Sequence, residues 1–374
     1  MTVDCDFLII GAGVSGAGAG FELSRHGKVI LLEAESQPGY HSTGRSAALY
    51  TRYYGNRVAR ALNQASLGFL ETPPAGFADQ PLLSPRGFLG FAPPEAADAV
   101  EHMLALDPSG REIAEISPAQ AIDLVPILKP EAVGRAAYEE GVLDMDVHAI
   151  HQGFLRGLAS RGGKVATDAR VAAVDRGNGR WRIRAGSETY AAPVLVNAAG
   201  AWADEIGRLA GLAPIGLAPK RRTAIVIDVP GIDLRRWPGV DQLDNEHYFK
   251  PDADRLMISP GDVTPSPPCD AQPEDLDVAL VVDWFERVTS VAVRRIGRRW
   301  AGLRSFVADD APVCGPDPEA PGFHWLAGQG GYGIMMSSSL GRAVTGLITA
   351  GELPEDIRAL GVTEADLSPA RCRT

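Results

Sequence analysis

The first 35 residues alternate between short apolar runs and turns of small residues. The run DCDFLII (4–10) predicts a buried strand that stops at the turn GAGVSG. The segment AGAGFELSRHG then predicts a helix ending at Gly27, and VILLE predicts a second buried strand ending in Glu33. A strand, a glycine turn, a helix and a strand with an acidic end together predict the opening of a dinucleotide-binding βαβ unit.

The glycines of this turn each suit a different part of such a unit. Gly11 permits the tight turn, Gly13 lets the backbone approach a pyrophosphate, and Gly16 lets the helix pack closely on the strand. The N-terminus of the helix offers free N–H groups to the phosphates, and Glu33 can accept hydrogen bonds from ribose hydroxyls. The alternative is a glycine turn that serves packing alone.

Later segments continue the alternation of strands and helices. HQGFLRGLASRGGKV predicts a helix followed by a strand, and ARVAAVDR and RWRIRA predict two strands paired across the GNG turn. PVLVNAAG predicts another strand of the nucleotide domain, and a helix is expected near 274–290. The stretch HWLAGQGGYGIMMSSSLGRAVTGLI predicts a strand, a glycine turn and a long helix beginning near the glycines.

Composition narrows the class of protein. The 374 residues carry a formal charge of −11, which argues against a general nucleic-acid binder. The four cysteines have no metal-ligand spacing and suit a reducing compartment, so no metal site is predicted. No apolar run approaches the roughly 20 residues of a transmembrane helix, and the start of the chain predicts a strand in place of a signal peptide. We therefore expect a cytoplasmic protein and leave open attachment to the surface of the inner membrane.

Several motifs resemble one family when taken together. GAGVSG, Glu33, HSTGRSAA (41–48), VNAAGAWA (196–203) and GGYGI (330–334) resemble the D-amino acid oxidase (DAO) family of FAD enzymes. Further segments, including PKRR, KPDA and WAGLRSFVAD, look like those of bacterial FAD-dependent D-arginine dehydrogenases. The resemblance implies an α/β (α+β) fold with a Rossmann-like, glutathione-reductase-type FAD-binding domain. A smaller mixed β-sheet domain would bind the substrate and cap the flavin.

The resemblance also implies domain limits and a mode of cofactor binding. The FAD-binding domain is expected at 1–78, 142–215 and 300–374, and the substrate domain at 79–141 and 216–299. Sarcosine-oxidase relatives attach flavin to a cysteine where this chain has Ser305 and Phe306, so non-covalent FAD is expected. The expected FAD-binding residues are Gly11, Gly13, Ser15, Gly16, Glu33, Ala34, Ser42, Thr43, Gly44, Arg45, Ser46, Ala47, Ala48, Leu49, Val171, Ala199, Gly200, Gly330, Gly331, Tyr332, Gly333, Ile334 and Met335.

An amino acid oxidised by such a flavin needs its carboxylate held in place. Arginine is the natural clamp because its planar fork makes two parallel charge-assisted hydrogen bonds. Arg304 lies among apolar neighbours in WAGLRSF, whereas Arg222 adjoins two other cations in PKRRTA and could also lie on a solvated face. By resemblance both point at the substrate carboxylate. The other residues implied at the substrate are Tyr248, Tyr54 (with Tyr53 as the register alternative) and the backbone carbonyl of Gly331.

Two positions depart from the D-arginine dehydrogenases. Where those enzymes carry a histidine and a glutamate near the substrate's amine and guanidinium, this chain has Leu49 and Phe88. A buried guanidinium without a carboxylate is costly, so we expect a pocket for neutral or hydrophobic side chains. The register at Phe88 rests on the short motif SPRGF, which belongs to a segment, SPRGFLGF (84–91), that predicts a strand.

The function expected from these features is FAD-dependent oxidative deamination of D-amino acids. A hydride would pass from Cα to flavin N5, and the imino acid would hydrolyse to a 2-oxo acid and ammonia. The alternative on the same scaffold is oxidation of a secondary amino acid (sarcosine-, glycine- or proline-like) or of a 2-hydroxy acid. The alternative from another class of protein is an electron-transfer module that carries flavin and has no small substrate. Oxygen and a quinone-like molecule both stay open as the electron acceptor.

Overall fold

The structure is a computed structural model that describes residues 2–373. Within that range the α-helices are Val14–Leu23 (α1), Arg57–Glu71 (α2), Ala99–Leu104 (α3), Pro118–Leu124 (α4), Val147–Ser160 (α5), Ala203–Leu209 (α6), Asp275–Val288 (α7), Ser337–Thr349 (α8), Glu355–Ala359 (α9) and Glu364–Leu367 (α10). The strands are Thr2–Asp4 (β1), Phe7–Ile10 (β2), Val29–Leu32 (β3), Leu49–Tyr50 (β4), Leu83–Pro85 (β5), Phe88–Ala92 (β6), Ile113–Ile116 (β7), Arg135–Glu139 (β8), Leu143–Met145 (β9), Lys164–Ala166 (β10), Val171–Gly177 (β11), Arg180–Ala185 (β12), Glu188–Ala192 (β13), Val194–Asn197 (β14), Ala218–Asp228 (β15), Gly239–Gln242 (β16), His247–Asp252 (β17), Arg255–Ser259 (β18), Thr264–Pro265 (β19), Ile296–Phe306 (β20), Val313–Pro316 (β21) and Phe323–Ala327 (β22).

A six-stranded sheet forms the nucleotide-binding half of the molecule. Its order is β10-β3-β2-β14-β22-β21, and all its pairs are parallel except β21 with β22. Strands β2 and β3 are buried at every position, as expected for a parallel sheet covered on both faces. The predicted βαβ unit of β2, α1 and β3 is confirmed.

Glycines allow α1 to pack closely on α8. A Cβ at Gly18 would lie 2.9 Å from the carbonyl oxygen of Ser337, and one at Gly341 would lie 2.7 Å from the carbonyl oxygen of Gly18. Helix α5 also packs on α1. The first helix is therefore held between two others, which fixes its N-terminus at the edge of the sheet.

A four-stranded sheet in the order β1-β13-β12-β11 lies beside this half. Strands β11 and β12 pair antiparallel across the turn at Asn178–Gly179, which confirms the predicted hairpin. Val171, at the start of β11, faces the cavity described below.

The other half is built on a nine-stranded mixed sheet. Its order is β19-β15-β18-β17-β16-β6-β8-β7, and β20 pairs with β15 along its length. Alternate residues of its strands point to opposite faces. One face, including Ile225, Val240 and Phe249, packs on Trp284 and Phe285 of α7 in an apolar core. The opposite face is turned toward the six-stranded sheet and carries the polar side chains of the site.

Three details of the chain differ from the prediction. SPRGFLGF was expected as one strand, but the chain breaks between β5 and β6 because Gly87 takes a φ of +74°. The long helix was expected to begin at GGYGI, whereas that segment forms turns and α8 begins at Ser337. The expected domain boundary at 300 falls inside β20, so the division into domains stays a prediction.

The sequence contains no apolar run long enough to predict a transmembrane helix. Across residues 2–373, no helix combines the length and apolar character needed to cross a bilayer. The expected location of the protein is untested and stays a prediction.

Candidate active site

A cavity of about 420 Å³ lies between the two halves of the molecule. It is bounded by the turns that follow β2, β3, β14 and β22, where the carboxyl ends of the parallel strands meet. The predicted site residues that line it are Gly11, Gly13, Ser15, Glu33, Ala34, Ser42, Thr43, Arg45, Ser46, Ala47, Val171, Ala199, Gly200, Arg222, Tyr248, Arg304, Gly330, Gly331, Gly333 and Ile334. Those that lie outside its lining are Gly16, Gly44, Ala48, Leu49, Tyr54, Phe88, Tyr332 and Met335.

The first turn of the cavity is made almost wholly of backbone. Gly11 has a φ of +98°, and a Cβ there would lie 2.4 Å from the carbonyl oxygen of Ala198. The backbone N–H of Ala12 donates to Glu33 Oε2 at 2.9 Å, so Glu33 braces the turn as well as lining the cavity. A Cβ at Gly16 would lie only 1.9 Å from the carbonyl oxygen of Gly11. Gly16 therefore serves the packing of the helix on the turn and does not itself face the cavity.

The loop after β3 covers the N-terminus of α1. Ser42–Arg45 forms a short 3₁₀ turn, and Thr43 Oγ1 accepts a hydrogen bond from the backbone N–H of Val14 at 3.0 Å. Ser42 Oγ donates to the carbonyl of Leu303 on β20 at 2.7 Å. The loop thus joins the nucleotide-binding turn to the nine-stranded sheet.

Arg45 was expected to bind the cofactor, but its guanidinium has protein partners. Its Nη1 donates to the carbonyls of Ala301 at 2.8 Å and Ala271 at 3.0 Å, and its Nη2 is paired with Asp270. These contacts lie on the β20 side of the cavity. Arg45 therefore anchors the loop, and only part of its surface remains toward the cavity.

The end of the same loop is held by a lysine that the sequence did not identify. Lys250 Nζ donates to the carbonyl of Ala47 at 3.0 Å and pairs with Asp144 Oδ1 at 2.8 Å. Ala48 has a φ of +55°, and its carbonyl accepts from the backbone N–H of Met145 at 3.0 Å. A non-glycine residue in this region of φ is strained, and these bonds hold the backbone that leads into Leu49.

Arg304 lies beside three other residues that were predicted at the substrate, namely Tyr54, Tyr248 and Gly331. Its Nη1 donates to the hydroxyl of Tyr54 at 3.3 Å, and a Cβ at Gly331 would lie 3.3 Å from that nitrogen. Within residues 2–373 no carboxylate lies within 4 Å of its guanidinium nitrogens. Burial disfavours its charge, but Tyr54, Tyr248 and Asp262 outweigh burial and raise the pKa of Arg304. A cation held in this way lacks a counter-ion of its own.

Arg222 is the member of the basic run that faces the cavity. Its neighbour Arg221 points to the other side, where it pairs with Asp277 at 2.8 Å and with Glu274. Arg222 has a buried Nε without a hydrogen-bond partner, and its nearest carboxylate is that of Glu246 at 3.9 Å, whose side chain is 73% exposed. The solvated-face alternative for Arg222 therefore has no support, since its own side chain is only 12% exposed.

Leu49 and Phe88 both lie beside Gly239, beyond the lining of the cavity. A Cβ at Gly239 would lie 3.1 Å from Leu49 Cδ1 and 3.0 Å from Phe88 Cδ2. Tyr53 and Phe88 pack on the same small apolar cluster, away from Arg304, whereas Tyr54 contacts Arg304 directly. Of the two tyrosines considered, Tyr54 is the one beside the arginine.

Unpartnered polar atoms test whether FAD fits this cavity. Gln329 Nε2, Ser305 Oγ and Arg222 Nε are buried without a hydrogen-bond partner, and all three residues line it. Ser15 Oγ donates to Gln329 Oε1 at 2.6 Å, which turns the amide NH₂ of Gln329 away from that bond. Polar groups left in this way are expected to bind a ligand. Together with the backbone turn at one end, they fit a long ligand with phosphates and a polar ring system.

Comparison with known proteins supplies the family. The profile "DAO: FAD dependent oxidoreductase" matches residues 6–347. The chain belongs to the DAO family of FAD-dependent oxidoreductases. Its cofactor is FAD, as predicted, and none of the four cysteines lines the cavity within the described residues. Burial raises the pKa of the Cys314 thiol to about 12, which suits an inert structural residue.

Curated relatives are distant in sequence but extend along most of this chain. Dimethylglycine dehydrogenase from Rattus norvegicus is 23% identical, and the match covers 94% of this chain and 43% of that protein. Glycine oxidase from Geobacillus kaustophilus is 22% identical, over 97% of this chain and 98% of that protein. The chain thus spans less than half the length of the dehydrogenase it matches. The narrower resemblance to D-arginine dehydrogenases stays a prediction.

A solved structure shows the fold. L-proline dehydrogenase from P. horikoshii superposes with a TM-score of 0.83 at 20% identity, covering 100% of this chain and 99% of that one. The predicted fold class is therefore confirmed. The roles of individual site residues are untested and stay predictions.

The geometry of the cavity indicates which residues would hold FAD. The turn Gly11–Gly13 and the N-terminus of α1 would meet the phosphates, and Glu33 and Val171 lie at the end suited to the adenosine. The turn around Gly330 and the unpartnered amide of Gln329 would meet the flavin end.

Three residues of this region were missed from the sequence. Gln329 immediately precedes the GGYGI motif, so its place in the sequence could have predicted a position beside the cofactor. Lys250 belongs to the KPDA segment that carried the resemblance, but no role was assigned to it. Asp241 lies in a short strand without any motif, and only the pairing of the sheet reveals it.

Proposed function

We propose that this FAD-dependent oxidoreductase oxidises an amino acid at a carbon that is bonded to its nitrogen. The observation that carries the proposal is Arg304, a cavity-facing guanidinium beside Tyr54 and Gly331 with no carboxylate partner of its own among the described residues. Filling of the cavity by flavin and substrate would exclude water from this guanidinium, and a desolvated cation without a carboxylate in contact is strongly unfavourable. The carboxylate of a bound substrate would supply that counter-ion.

The side chains around Arg304 suit this role. Arg304 and Arg222 both face the cavity and can bind one carboxylate from two directions, and the tyrosine hydroxyls of Tyr54 and Tyr248 can donate to it. The carbonyl of Gly331 can accept from the substrate amine, which holds that nitrogen in place. When bound, FAD supplies the acceptor for the hydride that leaves this carbon, which is Cα in glycine or in a D-amino acid with a primary amine. The protein's own contribution is to hold the substrate with the reacting C–H in a fixed position.

The relatives favour a particular class of amino acid. Glycine oxidase, dimethylglycine dehydrogenase and L-proline dehydrogenase are named for glycine, an N-methylated amino acid and a secondary amino acid. By analogy, our first candidate is oxidation of glycine-type, secondary or N-methylated amino acids.

A second candidate is the oxidative deamination of D-amino acids with neutral side chains. The positions of Leu49 and Phe88, both beside Gly239, support it, because an apolar wall there would favour a hydrophobic side chain. The same two arginines would bind the carboxylate. The product imino acid would hydrolyse in water to a 2-oxo acid and ammonia.

Anaerobic flavin reduction tests both candidates at once. Purified yellow holoenzyme is mixed with glycine, sarcosine, dimethylglycine, L- and D-proline, neutral D- and L-amino acids and the matching 2-hydroxy acids, and flavin absorbance is followed. We expect bleaching by amino acids, fastest with the secondary ones under the first candidate and with neutral D-isomers under the second. Bleaching by 2-hydroxy acids alone would overturn the proposal.

A further inference from the structure

Asp241 lies on the same sheet face as the substrate residues. In β16, Gly239 and Asp241 point to one face, whereas Val240 packs in the core against α7 and Gln242 accepts a hydrogen bond from Trp284 on that side. Asp241 is therefore turned away from α7, to the face that carries Tyr248, and it lies just outside the residues that line the cavity.

The register of the sheet places Asp241 directly beside Tyr248. The two residues are antiparallel partners in β16 and β17, so their Cα atoms are about 5 Å apart. Tyr248 lines the cavity, and its hydroxyl lies toward the guanidinium of Arg304. Asp241 thus lies one strand further from Arg304 than the tyrosine.

No protein group in residues 2–373 satisfies this carboxyl. Its Oδ1 atom is buried and has no hydrogen-bond partner. On the other side of β16 its register partner in β6 is Gly90, which brings no polar side chain. Among the described residues no arginine, lysine or histidine lies within 4 Å of it, since the nearby Arg222 has only Glu246 at that range. A buried polar atom in this state is expected to meet a ligand or ion.

The neighbouring carboxyl differs in this respect. Glu139, the register partner of Phe88, accepts a hydrogen bond from Thr51 Oγ1 at 2.7 Å. Burial raises the pKa of each carboxyl to about 7, but of the two only Asp241 combines that state with an unpartnered buried oxygen. Of these two carboxyls, Asp241 is therefore the one with a buried oxygen that is free to accept a hydrogen bond.

Charge is divided across this face of the sheet. Arg304 and Arg222 lie on β20 and β15, Tyr248 follows on β17, and Asp241 lies beyond it on β16. A substrate whose carboxylate binds the arginines would extend its other end past Tyr248 toward Asp241. Complementarity requires a donor or a positive charge at that end.

We propose that Asp241 accepts a hydrogen bond from a second nitrogen of the substrate, so that the preferred substrates are amino acids bearing a cationic or N–H group beyond the reacting amine. This inference rests on the proposed oxidation of an amino acid. Leu49 and Phe88 would then contact the aliphatic part of the same group, since both side chains lie beside Gly239, which precedes Asp241 by two residues on the same face of β16.

Isosteric substrate pairs test the proposal in the native holoenzyme. Ornithine and norleucine, each as both enantiomers, differ by NH₃⁺ against CH₃ at the end of the side chain. Piperazine-2-carboxylate and pipecolate make the same comparison for secondary amines. A hydrogen bond from a charged donor to Asp241 should give the nitrogen-bearing member of the oxidised pair a kcat/KM about tenfold or more higher. Equal or reversed preference in every oxidised pair would overturn the inference.

Variants then assign the preference to Asp241. In Asp241→Leu the ratio within the oxidised pair should fall about tenfold or more, and Asp241→Asn should lie between. Asp252→Asn, which removes an exposed carboxylate at the end of the next strand, should leave the ratio unchanged. A preference that persists in Asp241→Leu would contradict the role of this residue. If the variants lose flavin, the native ratio decides alone.

The two proposals fail in different ways. If the native enzyme oxidises amino acids without regard to the second nitrogen, only the role of Asp241 is lost. If no amino acid in any panel reduces the flavin, the proposed function is wrong and this inference falls with it.

Discussion

The wall of the cavity contributed by the six-stranded sheet is made mostly of backbone, whereas the wall contributed by the nine-stranded sheet is made of side chains. Gly11, Gly13 and Gly330 bring peptide groups to the first wall. Arg304 and Tyr248 give the second wall its chemistry. A backbone wall can bind a cofactor that is the same throughout a family, while a side-chain wall can change its substrate one residue at a time.

The two walls should also fail differently when altered. A change in the backbone wall should remove the cofactor, because no side chain can replace the peptide groups that would bind it. A change in the side-chain wall should leave the protein yellow and alter only what it oxidises.

The largest effect is expected from Gly16→Ala, which lies behind the backbone wall where α1 packs on the turn at Gly11. The added Cβ would lie 1.9 Å from the carbonyl oxygen of Gly11, far inside van der Waals contact, so the turn and α1 must separate. We expect protein that purifies without flavin or does not fold. The flavin content of the purified variant, from its absorbance ratio, measures the effect.

Gly68→Ala is the matched control. Gly68 lies in α2 without a positive φ, and among the described residues no atom outside the neighbouring turns of α2 lies within 4 Å of the position that the new methyl group would take. This variant should keep its full flavin content and gain up to about 1 kcal/mol from helix propensity. Full flavin in Gly16→Ala as well would show that the turn is not under the constraint described.

The next effect is expected at the side-chain wall, from Arg304→Lys. Lysine keeps the charge but loses the planar fork that binds a carboxylate through two hydrogen bonds. We expect kcat/KM for the best amino acid to fall about 10²- to 10³-fold while flavin content stays unchanged. Arg299→Lys, on the same strand and paired with Asp275 at the surface, should leave both unchanged.

The construction of each wall decides how much of it could be predicted from the sequence. The βαβ unit, its glycines and Glu33 are close together in the chain, so their spacing predicted the cofactor turn. The long helix was expected to begin at GGYGI, but α8 begins at Ser337, after turns that start at Gly330 with a φ of +50°. The spacing of the glycines does not reveal which of them takes such a φ.

The side-chain wall was harder to predict because it depends on long-range pairing. Strand β16 lies beside β6, about 150 residues earlier in the chain, and the position of Asp241 follows only from that register. Arg304 and Tyr54 were inferred from resemblance, and their contact is visible only in three dimensions. An apolar pocket was expected from Leu49 and Phe88, yet the nearby carboxyl of Asp241 could not be foreseen.

The smallest effect is expected on stability, from Asp241→Asn. Burial, with Glu246 adding to it, raises the pKa of this carboxyl from 3.8 to about 7 despite the opposing influence of Arg222. The ionised form is therefore disfavoured in the folded protein, and this destabilisation is absent below about pH 4 and complete above about pH 7. The variant should exceed the native enzyme in Tm by about 2 °C or more at pH 8, and by less at pH 5. A difference in Tm that does not vary with pH would contradict the assigned ionisation, and Asp252→Asn serves as the control.

The central claim is that the side-chain wall recognises a substrate carboxylate, and one measurement tests it most directly. The best amino acid substrate and its primary amide are compared in anaerobic reduction of the enzyme-bound flavin, in the native enzyme and in Arg304→Lys. We predict that the native enzyme reduces its flavin with the free acid at least about 10² times faster than with the amide, and that Arg304→Lys loses most of this difference. Equal rates with acid and amide in the native enzyme would contradict the claim.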